Sequence, residues 1–474
     1  MRIDWNGKRV TILGGARQGQ AAARWLARHG AVVTVNDRRS EEQMSAARAA
    51  LADVHVTWVL GAHPVNILDT TDVLCLSGGV PLENPIVVEA VRRGIPLTND
   101  TQVFMEIVPC RTVGITGSAG KTTTTTLVGE MAKETIGERR QAAQPSSTVF
   151  RTSSVFIGGN IGNPLLNYVD EMQVDDLAIM EISSFQLEQM NLSPNVAAIL
   201  NITPNHLDRH GTMEAYAAAK RRLLEFQGPD DIAVLCRDDA GSWQERKSVR
   251  GHLLSFGFHS LPEGQDGTYL SDGLLRLRRG SADFPLLRRE EISLRGDHNV
   301  LNVLAAFAIS DAAGLDHAAM IAAVKSFRGV AHRLELVREW NGAKWYNDSI
   351  ATAPERTMAA IRSFDEPIVL LLGGRDKNLP WDDLAALVHE RVDHVVLFGE
   401  AAEIIASALG SQIPGQRPFT LERCKSLSEA VWVASRSAEP GDVVLLSPGG
   451  TSFDEFRDFE ERGEGFRKWV LALS

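Results

Sequence analysis

The 474-residue sequence holds only four cysteines, Cys75, Cys110, Cys236 and Cys424, and no two of them form a C-x-x-C pair. That scarcity argues against a disulfide scaffold or a thiolate zinc site and fits buried thiols in a reducing compartment. Long apolar runs are also missing. None approaches the ~18 residues needed to cross a bilayer, and the N-terminus is polar, so a cytoplasmic chain without a membrane partner is expected. Positive charge is in deficit as well. A net charge of −11 argues against a nucleic-acid partner or an anionic membrane surface. An anionic small ligand stays open, because backbone amides and a few Lys or Arg side chains make a phosphate site locally. What is present is ordinary: 44% hydrophobic and 23% charged residues, enough for sizeable cores, in a length that suggests about three domains.

The most informative stretch is Cys110–Thr126, CRTVGITGSAGKTTTTT. Residues Thr112–Thr116 read as a buried strand, Gly117-Ser118-Ala119-Gly120 as a tight turn, and Lys121-Thr122 as the opening of a helix through about Lys133. Such a turn points backbone N–H groups and a helix N-terminus at a polyanion. Lys121 would add a point charge for the phosphates, and the Thr122 hydroxyl can ligate Mg²⁺. The full G-x-x-x-x-G-K-[ST] spacing is not met, since Ile115 stands where its first glycine would fall.

Before this loop, Arg9–Leu13 reads as a strand, followed by the turn Gly14–Gly19, a helix from about Gln20 to His29, and a strand Ala31–Val35 that leads to Asp37-Arg38. This is a βαβ unit with a glycine-rich first turn. Its dinucleotide fingerprint is incomplete, because Ala16 sits at the middle glycine, which leaves an NAD site and another kind of nucleotide site both open. A further strand, Val73–Leu76, breaks into Ser77-Gly78-Gly79, again at a strand end where ligands bind in open α/β sheets. The first domain is expected over 1–108.

Beyond the phosphate loop, 138–154 is polar without periodicity and reads as a surface loop. Phe156–Gly162 reads as a glycine-rich turn carrying Asn160. Strands are expected over Leu177–Met180, ending in Glu181, and over Val196–Ile202, followed by His206. Met213–Phe226, which holds Lys220, and Asn299 to about Ala313 read as helices, with hairpins between Cys236 and Leu294. A boundary near Gly329–His332 closes a central domain, 109–331. A third, 332–474, repeats strand, glycine turn and helix, with strand ends at Asn347-Asp348, Gly373-Gly374 and Ser447–Gly450. The expected fold is α/β: three domains, each with a largely parallel sheet covered by helices, Rossmann-like at both ends and phosphate-loop in the centre. Taken singly, His206 reads as a turn residue and Lys220 as a solvated helix lysine. His206 taken together with Thr122 and Glu181 could form a hard-cation site.

The ordered motifs GSAGKTT, GGNIG, EISSFQLE, NITPNHLDRH, YAAAK, GDHNVLN, AHRLE, NDSIAT and SPGGTSFDEF make the chain resemble the Mur ligases, ATP-dependent amide-forming enzymes of peptidoglycan precursor synthesis. It is most similar to the glutamate-adding members. The resemblance implies ligation of glutamate, expected to be D-glutamate, to UDP-N-acetylmuramoyl-L-alanine through an acyl phosphate, by a monomer. It implies ATP on Gly117, Ser118, Ala119, Gly120, Lys121, Thr122, Thr123, Asn299, Asn302, Arg333 and Asp348. Two Mg²⁺ would be held by Thr122, Glu181, His206 and a carbamylated Lys220, with Lys121, His206 and Lys220 serving catalysis. The UDP substrate would meet Gly15, Gly19, Asp37, Arg38, Ser77, Gly79 and Asn160. Glutamate would meet Thr352, Lys377, Ser452, Phe453 and Phe459. Ile350 stands where the family usually has Lys, and Ser118-Ala119 where it usually has Thr-Asn. A related ligase acting on L-glutamate or on another acid is the alternative.

Overall fold

The structure is a computed structural model that describes residues 4–142, 153–413 and 415–474. Its packing divides the chain into two units, 1–293 with 297–326, and 294–296 with 327–474. No helix among the described residues is long and apolar enough to cross a membrane.

The first unit contains two sheets. One is wholly parallel, in the order β3-β2-β1-β4-β5, from β1 (Arg9–Leu13), β2 (Val32–Asp37), β3 (Val56–Leu60), β4 (Val73–Leu76) and β5 (Leu97–Thr98). Chain order reverses at β1, which has β2 on one side and β4 on the other, so the crevice beyond the ends of β1 and β4 is the place where such a sheet binds ligands. The helix that follows β1 covers Arg17–Arg28, starting and ending earlier than the expected Gln20–His29, and β2 runs on to Asp37 itself.

The second sheet has nine strands in the order β14-β13-β12-β11-β10-β9-β6-β8-β7. They are β6 (Arg111–Thr116), β7 (Val155–Gly159), β8 (Leu177–Glu181), β9 (Val196–Ile199), β10 (Ile232–Cys236), β11 (His252–Phe256), β12 (Asp266–Ser271), β13 (Leu274–Arg279) and β14 (Ala282–Arg288). From β7 to β12 neighbours are parallel, and β12, β13 and β14 form an antiparallel meander at one edge. There Leu275 and Leu277 point inward while Arg276 and Arg278 are partly exposed, the period of a strand with one wet face. Pro285 sits on the outermost strand, where a missing N–H is harmless. The buried helix Asp297–Ala312 is apolar on nearly every side, as a helix enclosed by neighbours must be. It packs on the helix Lys121–Ala142 and on β10–β12.

The structure departs from four further expectations. Phe156–Gly162 is not a turn: β7 occupies Val155–Gly159 and pairs with β8. The strand expected over Val196–Ile202 ends at Ile199, because Leu200 and Asn201 turn to meet the phosphate loop. The helix after that loop continues to Ala142 rather than stopping near Lys133, so the start of the expected 138–154 loop is helical, and 143–152 lies outside the described residues. The later helix spans Asp297–Ala312 rather than Asn299 to Ala313. One apolar cluster, from Trp25 and Phe104 to Met180 and Leu223, joins the two sheets of this unit.

The second unit has a six-stranded sheet, β15-β16-β20-β17-β18-β19. Its strands are β15 (Glu335–Trp340), β16 (Ala343–Asn347), β17 (Ile368–Gly373), β18 (His394–Phe398), β19 (Thr420–Arg423) and β20 (Val443–Gly449), all parallel except the β15/β16 pair. The central strands β17 and β20, IVLLLG and VVLLSPG, are buried along their whole length, as strands covered by helices on both faces are. Separate apolar clusters lie on the two faces.

Candidate active site

In the larger sheet β6 is flanked by β8 and β9, which puts the turn Gly117–Gly120 at the point where chain order reverses. The turn is tied down on the β9 side. Ala119 N–H donates to Asn201 Oδ1 (2.8 Å), Ser118 N–H donates to the Asn201 carbonyl (3.0 Å), and Ser118 Oγ meets Thr203 O (2.9 Å) and Tyr216 Oη (3.1 Å). Gly120 has φ +82°, and a Cβ there would run into Asn302 Oδ1, so this position needs glycine for both conformation and space. Asn302 Nδ2 donates to Asn299 Oδ1 at 3.1 Å, which brings both asparagines expected at the nucleotide to the back of the loop. Lys121 curls over the turn, Nζ donating to Gly117 O (2.8 Å) and Ser118 O (3.4 Å).

On the β8 side the Thr122 hydroxyl donates to Glu181 Oε2 at 2.8 Å, and Asn160 Nδ2 donates to Oε1 at 2.9 Å. Glu181 is only 2% exposed. A buried carboxylate held by a phosphate-loop threonine suits a hard cation with phosphate and water. Lys220 is 1% exposed, with Nζ 3.4 Å from Thr116 Oγ1 and 4.6 Å from the centre of the Tyr216 ring. Burial first, and then the charge of Lys121, push its pKa down to about 7. Part of the amine is therefore neutral and nucleophilic near pH 7. As an amine it cannot ligate a cation while protonated, and no cluster of three His, Cys, Asp or Glu able to hold a metal occurs among the described residues. His206, in the left-handed region at φ 52°, packs its ring edge-on to Phe185, 5.2 Å between centres.

Three participants lie within the motifs NITPNHLDRH and YAAAK without being among the expected site residues. Besides Asn201 and Tyr216 there is His210, whose Nε2 lies 2.9 Å from Ser184 Oγ and whose Nδ1 lies 3.1 Å from Glu188. Its ring stacks on Phe185 and contacts Tyr216, so a continuous layer runs from the phosphate loop to the end of β8.

In the smaller sheet Ser77 Oγ donates to Gly14 O (2.7 Å), closing the gap between β1 and β4. A Cβ at Gly19 would meet the Gly14 carbonyl, and one at Gly15 the tip of Met44. Asp37 is committed to the protein itself: Oδ2 accepts from Gly15 N–H (2.9 Å), and the Arg39 guanidinium pairs with both oxygens. Burial works upward on this carboxyl, but Arg39 and two backbone amides hold it well below the usual carboxylate range. Arg38 and Gly79 are exposed at the rim.

In the second unit Lys377 Nζ lies 3.3 Å from Thr352 Oγ1, and Ser452 is buried two residues beyond Gly450. Phe453 is 60% exposed, whereas the carbonyl of half-buried Phe459 accepts from Ser349 Oγ at 2.8 Å. Asp348 Oδ2 accepts from Ser447 Oγ (2.9 Å), and burial raises its pKa to about 7 against the pull of Ser447, the Leu334 amide, Arg333 and Arg356.

Comparison with known proteins gives this arrangement a family. Models for a Mur ligase MurD-like N-terminal domain, a Mur ligase middle domain and a Mur ligase glutamate ligase domain match residues 8–99, 115–310 and 332–450. A UDP-N-acetylmuramoylalanine–D-glutamate ligase of Symbiobacterium thermophilum is 38% identical, with 98% of each chain covered. The ligase of the same name from Geobacter metallireducens is 40% identical, with 99% of each covered. The chain belongs to the Mur ligase family. Among solved structures, a UDP-N-acetylmuramate–alanine ligase of Thermotoga maritima matches with a TM-score of 0.56 at 20% identity, covering 98% of this chain and 99% of that one. That likeness gives the Mur ligase fold alone.

Proposed function

We propose that this Mur ligase joins D-glutamate to the alanyl carboxylate of UDP-N-acetylmuramoyl-L-alanine, converting ATP to ADP and phosphate, in the cytoplasm. The observation that carries the reading is the hydrogen-bonded group of Thr122, Glu181 and Asn160 beside the lysine of the glycine turn, in a chain matched end to end by ligases of that name. Residues 1–108 would receive the UDP moiety, 109–331 ATP, and 332–474 glutamate.

In this mechanism the N-terminus of the helix that follows the Gly117–Gly120 turn holds the phosphates, and Lys121 leaves its loop carbonyls to neutralise the transferring group. The alanyl carboxylate takes the γ-phosphoryl group, giving an acyl phosphate. The glutamate amine then attacks the acyl carbon, and the tetrahedral adduct collapses with loss of phosphate. Thr122 and Glu181 fit one Mg²⁺, while His206 and Lys220 fit a second only if Lys220 carries CO₂ as a carbamate, which replaces its positive charge by a negative one. When bound, Mg²⁺ supplies charge neutralisation at the phosphates. Asn299 and Asn302 lie behind the phosphate loop for the nucleotide, and Arg333 and Asp348 are assigned to it as well. Glutamate is assigned to Thr352, Lys377, Ser452, Phe453 and Phe459, with Lys377 pairing a carboxylate.

Phosphate release from ATP tests this reading. Release should require both UDP-N-acetylmuramoyl-L-alanine and glutamate, and should favour the D over the L enantiomer. Release that ignores the UDP substrate would reject it. Asp37→Asn provides a second test. It should weaken UDP binding by about tenfold in a calorimetric titration, since the hydrogen bond to the Gly15 turn loses its charge assistance, about 1–1.5 kcal/mol.

A further inference from the structure

Arg462 has no exposed surface at all. Its Nε donates to Ser349 Oγ (3.0 Å), Nη2 to Ser349 O (2.8 Å) and Nη1 to Gly450 O (3.1 Å). A Cβ on Gly374 would press on its Nη1. One guanidinium thus bonds the loops after β16 and β20 and lies close beside the start of the loop after β17, three adjacent strands of the second unit's sheet. These loops carry Thr352, Ser452 and Lys377.

All three acceptors are neutral oxygens, and among the described residues no carboxylate forms an ion pair with Arg462. The acids that act on it do so from a distance and have other partners. Asp454 accepts from Glu400 N–H (3.2 Å), Glu455 from Leu427 N–H (3.1 Å), and Asp348 from Ser447 and Leu334. Burial pushes the pKa down to about 10 against the pull of Asp454, Asp348 and Glu455, so the group remains a cation at neutral pH. A buried charge without a contacting counter-ion is costly to keep, and its field is screened little by water. The same loop lacks a cation of its own between Ser349 and Thr352, where Ile350 and Ala351 stand.

We infer that Arg462 is the positioning and specificity-determining cation of the glutamate pocket: it binds the loops that carry Thr352 and Ser452 together, beside the loop of Lys377, and its charge draws the anionic amino acid to these three residues. This rests on the assignment of glutamate to those residues. The test is steady-state kinetics of Arg462→Met and Arg462→Lys with each substrate varied in turn. Arg462→Met should raise KM for glutamate about tenfold, as loss of one poorly screened charge would, with KM for ATP within about twofold. Arg462→Lys should restore most of the glutamate KM. Ile350→Lys, placing a cation in the same loop, should restore part of it in the Met background and lower it in the wild-type background.

Parallel changes in the glutamate and ATP constants, or a Lys variant as impaired as the Met variant, would reduce Arg462 to a structural latch and overturn the inference. Should Arg462→Met not fold, an unchanged glutamate KM in Ile350→Lys alone would overturn it too. A wild-type enzyme that releases phosphate without any need for glutamate would fail the ligase reading itself, a separate result.

Discussion

Lys121→Ala is expected to slow ATP-dependent phosphate release by about 10²–10³-fold, the usual loss when one donor to developing charge is removed, with little change in thermal unfolding. The lysine is only half-buried. Its amine rests on Gly117 O and Ser118 O of the turn it belongs to, and helix propensity favours alanine at its position. The same amine is one of the two causes that depress Lys220, so the substitution should also let the Lys220 pKa climb, leaving less neutral amine at pH 7. Single-turnover phosphoryl transfer separates the two effects: loss of the phosphate contact persists at pH 9, whereas a titration effect fades there. A variant within about threefold of wild type at both pH values would remove Lys121 from the chemistry.

The parts of this molecule that could be read from sequence are those whose signal is local. The strand Val73–Leu76 and the glycine turn after Thr116 fall where apolar runs meet glycines, because a parallel strand buried on both faces must be apolar and the chain must turn where it ends. Local signals misled where glycine serves a close-packed strand end rather than a loop. Gly158 and Gly159 look like punctuation, yet both lie in β7, where a Cβ would strike Asn163 O or Glu181 O. Asn201 and Tyr216 hold the phosphate loop from 82 and 98 residues away; the motifs NITPNHLDRH and YAAAK contain them, but that they anchor this loop follows only from the fold. Arg462 was hidden by its setting. It stands among other charged residues in FEERGEGFRK, and only the fold turns that one arginine fully inward.

Lys220 yields the second large effect, and its sign follows from the direction of its shift. In the folded chain the amine titrates near 7, and in the unfolded chain at its ordinary 10.5. Between these values the unfolded state holds a proton that the folded state has shed, so stability must rise with pH across the window, by up to about 1.4 kcal/mol per unit for one proton. Below about 7 both states are charged, and the full penalty of burying the cation beside Lys121 applies. Lys220→Met removes that term. Its unfolding midpoint should exceed that of wild type most at pH 6 in CO₂-free buffer, and the gap should shrink steadily toward pH 10. Added bicarbonate should stabilise wild type alone if the amine takes up CO₂, and ¹³C-labelled bicarbonate should then give a carbamate resonance that the Met variant lacks. The same variant should lose at least about 10²-fold in ligation. A wild-type protein whose stability responds to neither pH in this window nor bicarbonate, and which binds no label, would show Lys220 to be an ordinary buried amine packed on Tyr216.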